Sequence, residues 1–140
     1  MSNKTILATL ALGAAIAFAG PAFAEKMKAT LDGKSEVPAN TSAATGTADI
    51  DYDAASKKLS WKVTYSGLSG PATAAHFHGP AEAGKNAGVA VPIANIASSP
   101  AEGSATLTDA QAADLAAGKY YVNIHTAANP GGEIRGQVTK

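Results

Sequence analysis

No cysteine occurs in the 140 residues, and that absence removes several chemistries at once. There is no disulfide, no thiolate metal cage and no lipid-bearing cysteine near the N-terminus. Methionine is almost as scarce: with only Met1 and Met27, the chain is no methionine-rich Cu(I) carrier. Charge of one sign is also missing. Eleven basic and 11 acidic residues cancel, which leaves no electrostatic footprint for nucleic acid or for anionic lipid. After residue 24 no apolar run approaches the length of a membrane span. No Gly-Lys-Ser/Thr phosphate loop appears, and Ser66, Ser69 and Ser104 lack a nucleophile context.

The first residues read as a targeting signal rather than as part of the fold. Lys4 supplies a basic start, 6–20 is an apolar run too short to span a bilayer comfortably, and Ala22-Phe23-Ala24 gives a small-x-small cleavage pattern. Cleavage after Ala24 leaves residues 25–140. It removes Lys4 and no acid, so the formal charge moves from zero to −1. Export without disulfides suits a bacterial periplasmic or secreted protein. The remainder is the size of one small domain, without internal repeats.

Apolar residues in that domain alternate instead of recurring at helical spacing. Leu59-Ser60-Trp61-Lys62-Val63-Thr64-Tyr65 is the clearest case, and Ala48-Asp49-Ile50-Asp51-Tyr52 is another. Further strands are expected at 27–31, 73–78, 89–93, 103–107, 119–126 and 133–139. Residues 35–45 and 80–88 read as loops. Thr108-Asp109-Ala110-Gln111 fits a capping box, and Gly118 stands where a glycine would end a two-turn crossover helix. The expectation is an all-β antiparallel sandwich or Greek-key barrel of seven to nine strands with one short helix. An exposed sheet edge offers pairing to a second copy or to a protein partner.

What the chain does have is three histidines, all in two strand-like segments: Ala75-His76-Phe77-His78-Gly79 and Tyr121-Val122-Asn123-Ile124-His125-Thr126. Alternate side chains share a face, so His76 and His78 project together, their Cβ atoms roughly 6–7 Å apart. Asn123 and His125 share the polar side of their strand, and after the Asn129-Pro130-Gly131-Gly132 turn Glu133, Arg135 and Gln137 follow suit. Three imidazoles without a thiolate suit Cu(II), Zn(II) or Ni(II), with copper the tightest and zinc the second choice. Asn123, Glu133 or water are the candidates for a fourth position, and Glu133 could instead orient a ligating ring from behind. Arg135 is a candidate for drawing small anions toward an open position. The same parity also arises from an ordinary solvated face, which keeps a non-metal adhesion or structural module open. The acids Asp49, Asp51 and Asp53 are read as a solvated face, and Trp61 and Tyr65 as core.

The chain resembles the CHRD domain, the module first described as repeats in chordin. The match is carried by Tyr65-Ser66-Gly67-Leu68, by Ala75-His76-Phe77-His78-Gly79-Pro80-Ala81, and by Leu107-Thr108 with Leu115-Ala116-Ala117-Gly118. It closes with Tyr121-Val122-Asn123-Ile124-His125-Thr126 and Asn129-Pro130-Gly131-Gly132-Glu133-Ile134-Arg135-Gly136-Gln137. That resemblance implies an exported module, bacterial or extracellular, and no single activity. The order of His76-Phe77-His78, His125 and the Gly131-Gly132…Arg135 turn is also similar to copper–zinc superoxide dismutase, a Greek-key barrel. A bridging histidine, zinc-loop ligands and the disulfide of that family have no counterpart here, and Arg135 falls two residues late. This likeness implies a copper-type site more than dismutase turnover.

Overall fold

Strand parity dictates which side chains meet. In the computed structural model, which describes residues 24–140, β1 (Glu25–Asp32), β2 (Thr45–Asp53) and β3 (Lys58–Ser66) bury Met27, Ala29 and Leu31, then Ala48, Ile50 and Tyr52, then Leu59, Trp61 and Val63. The polar residues between them, including Asp49, Lys62 and Thr64, point outward. The expected leader, 1–24, falls outside the described residues except for Ala24. The remaining strands are β4 (Ala72–His78), β5 (Val89–Pro92), β6 (Ala101–Thr106), β7 (Tyr121–Thr126) and β8 (Ile134–Gln137).

All eight strands are antiparallel neighbours in one sheet ordered β5-β4-β7-β8-β1-β2-β3-β6. β3 and β4 are five places apart in that order, which would be roughly 24 Å in a flat sheet. Yet the rings of Trp61 on β3 and Phe77 on β4 lie 5.2 Å apart, tilted by 60°. The sheet therefore curls back on itself as a nearly closed barrel, and its inner face is the core. The seam between the halves is the short β1–β8 pairing, where Asp32 opposes Arg135, extended by paired Lys28–Thr139 backbone bonds of 2.8 Å. Gly136 lets the strands approach there: a Cβ on it would sit 2.1 Å from the Thr30 carbonyl oxygen.

α1 (Asp109–Ala116) carries the chain from β6, at one sheet edge, to β7 beside β4. The capping box is formed, with Gln111 N–H donating to Thr108 Oγ1 at 3.1 Å and Thr108 N–H to Gln111 Oε1 at 3.0 Å. Gly118 follows with φ +74°, the left-handed geometry that ends a helix.

The outer face of β4, β7 and β8 is polar and roofed. Loop 33–43 is tied down by Asn40 Nδ2 donating to the Glu133 carbonyl at 2.9 Å. Loop 79–88 is joined to it by Asn86 Nδ2 donating to the Val37 carbonyl at 3.1 Å. This second, polar layer is why His78, Asn123 and Arg135 are buried although they point away from the core.

Candidate metal centre

Register, added to parity, brings the histidines together. Across β4 and β7, Ala74 opposes His125 and His76 opposes Asn123, so the outward side chains of both strands form one compact group. One ligand atom from each of His76, His78 and His125 can be chosen so that all lie within 4.8 Å of one another. His76 Nδ1 and His125 Nε2 are 3.2 Å apart. Two nitrogens of a tetrahedral site with bonds of 2.0–2.1 Å would be roughly 3.3 Å apart.

Hydrogen bonds fix which nitrogens are free. His78 Nδ1 lies 2.9 Å from the Ala87 carbonyl and His125 Nδ1 2.9 Å from the Pro130 carbonyl. A carbonyl only accepts, so both rings carry their proton on Nδ1 and turn an Nε2 lone pair inward. Between them stands Asn123 Oδ1, 2.9 Å from His78 Nε2 and 3.0 Å from His125 Nε2. The Nδ2 end of that amide lies on the side of the Glu36 carboxyl, both of them against Gly132. Three acceptor atoms thus confront one another; His76 Nδ1, 3.2 Å from His125 Nε2, donates to it in one tautomer and in the other adds a fourth lone pair, an arrangement a cation would relieve.

The electrostatics agree with neutral rings. Burial lowers the pKa of His76, as do the neighbouring His125 and His78. Burial also lowers that of His78, while the Ala87 carbonyl and the Asn123 amide oxygen push the other way because a protonated ring would donate to both. Glu36 is raised by burial, with the Val37 N–H, Arg135 and Asn123 pulling it partly back.

Glu133 sits elsewhere. Fully buried, it accepts from Ser69 N–H at 3.0 Å, from Ser69 Oγ, from Thr126 Oγ1 at 3.0 Å and from Asn129 Nδ2 at 2.9 Å. Burial raises its pKa, but those four donors outweigh that and hold it low. Its oxygens are committed to fastening the 126–132 turn, which leaves none for the histidine cluster. Arg135 also differs from the expectation of an anion-drawing charge at an open position. It is 2% exposed and lies with its guanidinium 3.4 Å over the Tyr121 ring. Its nitrogens donate to Asn86 Oδ1 at 2.9 Å and to the Lys85 carbonyl.

Sequence reasoning missed Glu36, which belongs to a loop with no periodic signal. It also missed that Tyr121 stacks on His78, with centroids 4.8 Å apart and planes 4° apart. Tyr121 does share outward parity with Asn123, and that was the signal available. Among the described residues no helix is long and apolar enough to cross a membrane.

Compared with known proteins, residues 27–138 match the family model of the CHRD domain. No curated protein and no solved structure matches the chain.

Proposed function

The chain belongs to the CHRD-domain family, and from that premise we propose that it is an exported member that binds a transition-metal ion, copper first and zinc second, through His76, His78 and His125. Asn123 Oδ1 takes the fourth side. What carries the reading is the meeting of His78 Nε2, His125 Nε2 and Asn123 Oδ1 at 2.9–3.0 Å with no donor among them. His76 Nδ1 closes the group at 3.2 Å from His125 Nε2. Three imidazoles and an amide oxygen, without thiolate, are the donors that copper and zinc accept, and copper is the tighter binder in that series. Backbone carbonyls behind His78 and His125 are the usual device for fixing a ligating ring. Export is supported by the apolar run 6–20 and by Ala22-Phe23-Ala24.

When bound, the ion would supply Lewis acidity or one-electron chemistry at this face. Dismutase-type turnover has weaker support, because the guanidinium of Arg135 is buried and engaged rather than open to anions. The test is copper titration of the purified, untagged protein, followed by thermal melting. One equivalent should raise the melting temperature of the wild type. The double variant His76→Ala/His78→Ala should lose that rise while keeping its β-rich circular dichroism. A double variant that still binds one equivalent tightly would overturn the assignment.

A further inference from the structure

We infer that Arg135 is a positioning residue for the metal centre, acting through loop 79–88 to hold His78 in its ligating tautomer; this rests on the metal reading above. Arg135 on β8 opposes Asn123 on β7, which opposes His76 on β4. It therefore stands in the same outward row as the ligands, yet its guanidinium turns to the roof. Nη1 donates to Asn86 Oδ1 at 2.9 Å and Nη2 to the Lys85 carbonyl. The next residue, Ala87, supplies the carbonyl that receives His78 Nδ1 at 2.9 Å. The grip of Arg135 on residues 85 and 86 thus ends one peptide short of the atom that decides the His78 tautomer.

A second contact works in the same direction. Arg135 covers one side of the Tyr121 ring at 3.4 Å, and the His78 ring is stacked on Tyr121 within 4° of parallel. The Tyr121 hydroxyl lies 3.2 Å from both the N–H and the carbonyl oxygen of Ala87. Ring plane and ring proton of His78 are consequently set by one assembly: Arg135, Tyr121 and the 85–87 backbone. Residues 82–86 are exposed and belong to no strand. Besides this clamp, the segment is held by Asn86 Nδ2 donating to the Val37 carbonyl and by Gly79 N–H donating to the Gly88 carbonyl at 3.3 Å. Lysine would not substitute, because one ammonium cannot span both acceptors and cover the tyrosine face as a planar fork does.

The experiment compares the wild type with Arg135→Met, Arg135→Lys and Asn86→Ala. Asn86 is exposed in the loop, so its truncation leaves the barrel intact even if Arg135 variants fold poorly. In the metal-free protein, 15N NMR of the imidazole nitrogens should report the Nδ1–H form of His78 in the wild type and mixed tautomers in the variants. Cu(II) affinity, measured by competition, should fall about 10- to 100-fold. The Cu(II) electron paramagnetic resonance hyperfine splitting should shift as well. Wild-type tautomer, affinity and splitting in Asn86→Ala and both Arg135 variants would overturn the inference. If the wild type binds no copper, the metal reading falls by itself, and the tautomer measurement still decides whether Arg135 sets the ring.

Discussion

A proton and a metal ion compete for the same imidazole lone pair, and burial in this fold disfavours the proton. His76 and His78 are held below the ordinary value of 6.5, chiefly by burial. The unfolded chain then binds protons that the folded chain refuses, so stability rises with pH across the window between the two values. Whatever the neutral rings contribute is complete above pH 6.5 and drains as pH falls below it toward the folded values. Copper should follow the same course, since an imidazolium cannot ligate. Melting with and without copper at about pH 7.5 and about pH 5 checks this; a copper-induced rise of equal size at both would contradict it. Glu133 gives a prediction of the opposite kind, about stability and not binding. Glu133→Ala strips a carboxylate from four donors and should cost about 3 kcal/mol in urea unfolding. At this scale the sequence was legible wherever parity decided. His76, His78, Asn123 and His125 were placed on one face because a period of two is a local property. Glu36 was not legible: it reaches Asn123 only through tertiary folding of a loop, and no spacing signals that.

Among the elements, α1 was the most fully written in the chain. Thr108, Gln111 and Gly118 are each required by helix-end chemistry, and each occupies the expected position. Thr108→Ala should therefore cost about 1 kcal/mol in a thermal or urea melt while leaving copper affinity unchanged, because His76, His78 and His125 make none of their hydrogen bonds to the helix. Strand identities were equally readable; β3 exceeds its alternation by one residue at each end, and β7 begins two residues inside the expected 119–126. What could not be read was the order in which strands lie side by side. Pairing of β8 with β1 joins the two ends of the domain, and the only local trace is Gly136, whose missing side chain makes room for the Thr30 carbonyl. Gly136→Ala would force those backbones apart and should destabilise the seam by about 1–3 kcal/mol. A melt matching the wild type would mean the seam can yield.

For the molecule as a whole, closure is what separates the two environments it needs. The inner face, with Trp61 against Phe77, is apolar and holds the barrel together. The outer face of β4, β7 and β8 is free to be polar because two loops roof it. Phe77 lies between His76 and His78 but faces inward, so one strand serves both layers. Phe77→Ala should cost about 3–5 kcal/mol, read by denaturant unfolding, and should weaken copper binding only as far as it loosens β4.

The clustered histidines also have a history along the chain. His76 and His125 are 49 positions apart, and nothing but the β4–β7 pairing makes them neighbours. A nascent or translocating polypeptide holds half a chelate at most, too poor to retain an ion against competitors. If the chain is exported unfolded, it leaves the cytoplasm empty-handed and is loaded from the metal pool at its destination. The timing of folding, rather than affinity alone, would then choose the ion it carries.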